Sequence, residues 1–416
     1  MNFSAITYII DPQHEISRAD PFRVLVAYSG AAECEPIYVT SYNAAFMEEP
    51  LDFSDTFSMS GIVDYPVITR RNITGTVYYH TTGTASATIL EHFTGTVFPT
   101  MVATGLDRCV FCVFPDWDLL SEYIEATTPI IVITPGIYYS SLSATEILQM
   151  HTIARNNSTM FIADVQSSTR WNNIITTTIY RGSPYIMLAS GKLAHERPYI
   201  RHLNQPNTTL QSYLSVSAAS IMAQLNGSGN IINTHIPSYR NDSEYEGREY
   251  SNAQKRHLRS AGINTVRTGH LVNANRSGQT LYSAETLSDN LVLRRADNIL
   301  IIHKFVREMD RAFRDPTYLG LSGLPRYVIK DVTRMSAGTS SYIDFSLLGR
   351  NKPLLGSPIN IQNIVKVTKA VLESYPLLDQ SFSVSQESFD TVKIEITLKF
   401  YGSLDYITIT FQARSS

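Results

Sequence analysis

Several residue groupings in this 416-residue chain have types that could do chemistry, and their spacing tests each one. Cys109-Val110-Phe111-Cys112 is a C-x-x-C. As a redox pair it would open a helix, where the macrodipole lowers the thiol pKa. Here it lies in the apolar run CVFCVF, which reads as a strand, where positions i and i+3 face opposite sides. No second cysteine pair completes a zinc site. With Cys34 the count is odd, which argues against a disulfide framework. The three are expected to be buried structural thiols.

The phosphate and nucleophile motifs fail on spacing as well. Gly191-Lys192 is followed by Leu193, and Ile186 stands where a phosphate cradle needs its first glycine. Gly227-Ser228-Gly229 lacks a third glycine, His195-Glu196 lacks the second histidine of a zincin helix, and no Gly-x-Ser-x-Gly elbow occurs. No catalytic, cofactor-binding or metal-binding residue is assigned, and the chain is not expected to be an enzyme.

Two other groupings bear on binding. The longest helical pattern buries Ile299, Ile302, Val306, Met309 and Phe313 on one face and ends at Asp315-Pro316. Around it stand Arg294, Arg295, Lys304, Arg307, Arg311 and Arg314, and a later amphipathic helix carries Lys366 and Lys369. These eight cations are either a solvated face with i,i+4 pairs or contacts to another copy of the chain or another protein. The other grouping is a pair of lone terminal strands. One holds Phe3, Ala5, Ile6, Thr7, Tyr8, Ile9 and Ile10. The other alternates Tyr406, Thr408 and Thr410 against Ile407, Ile409 and Phe411. Each either pairs within its own domain or adds to the sheet of another subunit. The linker of residues 11–20 spans roughly 30 Å when extended, at about 3.3 Å per residue.

The elements around these groupings define an α+β and α/β multidomain chain. Residues 22–28 read as a buried strand. From Leu51 to about Val113 repeated Thr-Gly punctuation predicts a β-rich insertion or small subdomain. A helix follows from Trp117 to Ala126. The apolar strand PIIVITPG from Pro129, a helix opened by the capping pair Ser143 and Glu146, and the strand MFIAD at Met160 make a right-handed βαβ unit. Residues 201–250 read as loop-rich. Gly262 closes a helix and the run from Ile263 to Arg267 is extended. A helix over Ile361 to Tyr375 buries Ile361, Ile364, Val365, Thr368 and Leu372. Two strands, Phe389 to Phe400 and Asp405 to Phe411, form a final hairpin. The expected divisions are 1–20 as arm and linker, 21–245 as an outer α/β domain with the insertion at about 51–113, 246–404 as an α+β core, and 405–416 as a terminal arm strand.

Composition sets limits. Charged residues are 17 % of the chain and there are 24 tyrosines, a surface suited to protein contacts. A net charge of −3 supplies no general basic field for nucleic acid. No apolar run reaches the roughly 18–20 residues a membrane helix needs, and the start has no basic n-region, so no membrane insertion and synthesis in the cytoplasm are expected.

The order of words from Leu258 through Gly262, Ile263, Asn264, Val266 and Arg267, then Tyr282 to Thr286-Leu287, then Arg294-Arg295, resembles the C-terminal core of contractile tail sheath proteins of phages and R-type pyocin-like machines. Where many of those proteins carry Trp-Gly-x-Arg-Thr, this chain has Tyr282-Ser283-Ala284-Glu285-Thr286. Ala32, Pro36, Val39, Thr40, Ser41 and Phe46 are similar to an upstream sheath pattern, and the βαβ unit ending at Asp164 is similar to another. The resemblance implies a sheath core with exchanged terminal strands, residues 3–10 and 405–411, in a six-fold helical homopolymer around a tail tube. Its partners would be further copies of itself, the tube protein, and baseplate and tail terminator proteins, with no direct nucleic acid and no cofactor. Contraction of that polymer in the virion tail would drive the tube through a host envelope. A baseplate component and a soluble α/β enzyme are the alternatives.

Overall fold

A computed structural model of the chain describes residues 23–31, 33–43, 62–65, 75–78, 89, 92–93, 97–106, 108–165, 182–195, 210–225, 231–236, 240–241, 250–270, 277–332, 340–348, 360–375, 379–388 and 391–400. Both expected terminal arm strands, residues 3–10 and 405–411, lie outside these. The chain divides into two compact units, Met1–Arg307 and Glu308–Ser416. The segment expected as one core, 246–404, is thus shared between the units.

The first unit is built on one mixed sheet. Its strands are β1 (Val24–Ser29), β2 (Cys34–Asn43), β3 (Ile62–Tyr65), β4 (Gly75–Tyr78), β5 (Arg108–Phe114), β6 (Ile131–Tyr138), β7 (Met160–Asp164) and β8 (Ile186–Ala189). Two short sheets follow in the chain: β9 (Lys192–His195), β10 (Leu210–Tyr213) and β12 (Arg240–Asn241) in one, and β11 (His235–Ile236), β14 (Val266–His270) and β15 (Ser277–Leu281) in the other. Between them β13 (Ile263–Asn264) joins the large sheet, whose order is β13-β8-β7-β6-β1-β5-β2-β4-β3. From β13 to β5 the neighbours are parallel, and β2, β4 and β3 continue antiparallel.

Burial explains the sequence of these strands. β1, β6 and β7 are near-continuous Val, Ile, Leu, Phe and Met because both faces are covered, as a parallel sheet requires. One face carries Leu25, Ala27, Val110, Cys112, Val132, Phe161 and Leu188. It meets helices α2 (Trp117–Thr127) and α3 (Ala144–Asn156), through residues such as Leu120, Ile124, Ile147 and Met150. α3 opens with the expected capping box: Glu146 N–H donates to Ser143 Oγ at 3.3 Å and Ser143 N–H to Glu146 Oε2 at 2.7 Å. The strands of the βαβ unit pair in parallel, Val132 opposite Phe161.

Three expectations are corrected here. Residues 51–113 form no separate β subdomain among the described residues: β3 and β4 extend the main sheet through β2, and β5 sits between β1 and β2. Residues Phe98–Ala103 of that stretch are a helix, α1, in which Pro99 occupies the first turn, where its missing N–H costs nothing. Within the loop-rich 201–250, Leu214–Leu225 is a helix, α4, that lies along β6 and β7. Its residues Leu214 to Ala223 are all buried, so it has no polar face to give a helical period.

Helix α5 (Asn252–Ser260) ends as expected: Gly262 takes φ +79° after it. Helix α6 (Ala296–Arg314) follows, and the division between the units falls within it, after Arg307. Its expected apolar face is buried throughout, from Ile299 to Phe313. Asp315 leaves the helical region before Pro316, with φ −144° and ψ 83°.

The second unit holds a four-stranded antiparallel sheet of β16 (Val328–Val332), β17 (Ser340–Leu348), β18 (Asp379–Gln386) and β19 (Thr391–Lys399), in the order β16-β17-β19-β18. β19 alternates buried and half-buried residues, the mark of a sheet covered on one face. Ile343, Phe345 and Leu347 stand opposite Ile396, Ile394 and Val392 on that face. Helix α7 (Ile361–Glu373) lies beside β18, where Gln380 Nε2 donates to Leu372 O at 2.9 Å. Its buried stripe is Ile364, Val367, Thr368, Val371 and Leu372, so Ile361 and Val365 of the expected face are only half-buried. The expected final hairpin is also corrected. β19 is paired along its length with β17 on one side and β18 on the other, so neither of its edges is open to residues 405–411.

Candidate functional site

The stretch from Leu258 to Arg307 is a junction of packed backbone in the first unit. Leu258 and Ile263 are fully buried, and Gly262 between them turns the chain. A Cβ at Gly262 would stand 3.0 Å from Leu287 Cδ2 and 3.2 Å from Thr286 O, so the position needs glycine for both conformation and space. Asn264 then ties three segments together. Its Nδ2 donates to Leu188 O at 2.8 Å and Glu285 O at 2.7 Å, and its Oδ1 accepts from Glu285 N at 2.8 Å. The side chain is fully buried, and these bonds satisfy its amide there.

Arg294 and Arg295 precede helix α6 rather than belonging to it. An antiparallel bridge between Glu285 and Arg295, with Thr286 N–H donating to Arg294 O at 2.6 Å, holds them extended. Arg294 Nε donates to Glu285 Oε2 and Arg294 Nη2 to Arg259 O at 2.6 Å, while Arg295 pairs with Asp297 at 2.8 Å. Arg307 donates from Nη1 to Thr128 O at 2.5 Å, and from Nη2 to Pro129 O and, at 3.2 Å, to Ser158 O. These carbonyls lead into β6 and β7. In the second unit Arg314 pairs with Asp310 at 2.9 Å. Lys304 and Arg311 are half-buried. Lys366 and Lys369 are exposed, the latter 3.9 Å from Glu373. The eight candidate cations therefore form no common face of like use: Arg294, Arg295 and Arg307 bind within the first unit, and the two lysines of α7 project outward.

The sequence reading missed the anchors of this junction. Glu285, which stands within the run that departs from the sheath pattern, receives two guanidinium groups. No local signal marks it, because Arg259 lies 26 residues away. His303 was unassigned and is fully buried against Tyr185.

The three cysteines are free and buried. Cys112 faces the cluster under α2 and α3, whereas Cys109 is on the other side of β5. Burial pushes both thiols well up, with Cys34 adding to the effect at Cys112, so neither is an activated nucleophile. Among the described residues no three His, Cys, Asp or Glu side chains gather as metal ligands, and no helix is long and apolar enough to cross a membrane.

The remaining feature suited to binding is backbone. In the second unit β16 and β18 are the sheet edges, each pairing on one side only among the described strands. Along β18, Ser381, Ser383 and Ser385 are exposed while Phe382 and Val384 turn toward the covered face. An edge with unpaired N–H and C=O groups is a template for an added strand.

Comparison with known proteins bears on the fold. No family model matches the chain, and no curated protein matches it in sequence. Its fold is similar to that of a chain in a structure described as the cryo-EM structure of the anti-feeding prophage (AFP) baseplate, 6-fold symmetrised. The TM-score is 0.52 at 10 % identity, and the match covers 100 % of this chain and 99 % of the other. What the two share is architecture along the full length.

Proposed function

We propose that the chain is a structural subunit of a contractile injection machine, and within that class a sheath subunit that polymerises around a tail tube. The observation that carries the class is the likeness in fold, across both chains, to a chain from the anti-feeding prophage baseplate structure. The sheath reading rests in addition on the run from Leu258 to Arg267, whose glycine turn and Asn264 amide bonds give that word order a structural purpose. The edges of β16 and β18 support strand donation, with residues 3–10 or 405–411 of another copy as the added strands. On this reading bodies exchange contacts during contraction while the donated strands persist, and stored energy lies in body–body contacts rather than in nucleotide hydrolysis. No catalytic role is assigned. The partners are further copies of the chain, a tube protein, and baseplate and terminator proteins of the same particle.

A baseplate component is the second reading, favoured by the particle in which the similar chain was seen. Negative-stain electron microscopy of the intact chain and of 1–10 and 405–416 deletions separates the two. Long hollow tubes or cogwheel-like segments that both deletions abolish are expected for a sheath. Discrete rings indicate the baseplate reading. Small particles unaffected by either deletion would rule out both.

A further inference from the structure

His303 is a histidine ring in a place that tolerates no charge. It lies on α6 at 1 % exposure, and neither ring nitrogen has a hydrogen-bond partner among the described residues. Buried polar groups almost always find one. The ring instead stacks on Tyr185, with centroids 5.8 Å apart and planes within 5°. Tyr185 also meets the ring of His151 on α3, at 5.7 Å and 57°. Ser183 steadies this group: its Oγ lies 2.6 Å from His151 Nδ1 and accepts from Tyr185 N–H at 3.3 Å. One turn along α6 from His303, Arg307 holds the carbonyls that lead into β6 and β7, while Tyr185 leads into β8. The first half of α6 thus adds to its buried apolar face, from Ile299 to Val306, one ring stack and one guanidinium at the start of three neighbouring parallel strands.

The two fastenings respond differently to acid. Arg307 keeps its charge at any ordinary pH. His303 docks only as neutral imidazole, because an imidazolium there would bring two unsatisfied donors and a positive charge one turn from Arg307. The titratable and charged groups around it are Arg307 on its own helix, Tyr185 before β8, and His151 and Arg155 on α3 beyond Tyr185. None supplies a negative charge: burial pushes the Tyr185 hydroxyl up to about 12, and burial and then Arg155 lower the His151 pKa.

We propose that His303 is an acid-operated latch, whose neutral ring holds the first half of α6 against Tyr185 and whose protonation releases that half-helix from the sheet edge. Burial first, and Arg307 second, lower the docked ring from its ordinary 6.5 to about 3. The latch is therefore at full strength above the ordinary value and weakens as pH falls between the two. In that window the released ring takes up a proton that the docked ring refuses. One proton changes the ratio of released to docked forms by at most about tenfold per pH unit.

The test is amide hydrogen exchange of the full chain between neutral pH and mild acid. It compares protection of residues 299–307 with that of β1 and β6. In the wild type, protection of α6 should fall by up to about tenfold per pH unit below about pH 6 while the sheet strands keep theirs. His303→Phe keeps an aromatic stack without a titrating group and should abolish the fall; His151→Gln should leave it in place. A wild-type α6 indifferent to pH, or the same slope in His303→Phe, overturns the latch. Should His303→Phe fail to fold, NMR titration of the His303 ring in the wild type decides the matter. A midpoint below about 5 supports the latch and one at or above about 5 overturns it.

Discussion

Arg294 Nε lies 2.7 Å from Glu285 Oε2, and the other oxygen of that carboxylate takes Arg259 Nε at 2.5 Å. One side chain thereby joins the end of α5, the strand-like segment after β15 and the turn into α6. All three groups are largely screened from water, with side-chain exposures of 25 %, 22 % and 11 % for Arg294, Arg259 and Glu285.

Removing the carboxylate leaves two guanidinium groups together without their shared anion. Glu285→Ala should destabilise the first unit by roughly 2 kcal/mol, between the cost of a lost charged hydrogen bond and that of a fully buried broken pair. Urea unfolding of the full chain measures this. A shift under about 0.5 kcal/mol, the range of ordinary surface substitutions, would mean that the clamp is ornamental.

Gly262 and Gly320 offer a matched pair of substitutions. Both have positive φ, +79° and +74°, but a Cβ at Gly262 meets Leu287 and the Thr286 carbonyl, while nothing lies within 4 Å at Gly320. Gly320→Ala should cost about 1 kcal/mol, the backbone term alone. Gly262→Ala should cost more, to about 3 kcal/mol, since crowding adds to strain. Equal costs would show that the neighbours of Gly262 yield freely.

The capping box of α3 predicts a pH dependence. Glu146 is held below its ordinary 4.5 chiefly by the Ser143 hydroxyl, then by the Ser143 N–H, with burial opposing them. A lowered carboxylate stabilises the folded chain above its unfolded value, and that contribution disappears as pH falls through the folded value. Ser143→Ala should cost about 1 kcal/mol near neutrality. Thermal unfolding below the ordinary carboxylate range should find the wild type and Glu146→Gln closer together than at pH 7. A constant gap between them would contradict the assignment.

What the sequence alone determined here was local. The Ser143–Glu146 cap, the glycine stop at Gly262, the Asp315-Pro316 stop, and the apolar periods of β6, β7 and the Ile299 to Phe313 face all arise from neighbours within a few residues. Backbone sterics and side-chain period set these regardless of context. Signals of that kind were lacking elsewhere. Helix α4 has no polar stripe because it is buried all round, and β18 lacks an apolar run because Phe382 and Val384 are its only apolar residues.

Only the tertiary structure decided where the charges go. Arg307 reads in the sequence as one cation among eight on or near helices, yet its guanidinium binds a carbonyl 179 residues away. His303 reads as one of ten scattered histidines, yet it becomes a buried ring stacked on Tyr185. Such contacts depend on strand order in the sheet, and in particular on β6, β7 and β8 beginning side by side. A local pattern records the period of each strand but not its neighbours. The same holds for β16 and β18, which the strand order of their sheet leaves at its two edges, with one partner each among the described residues.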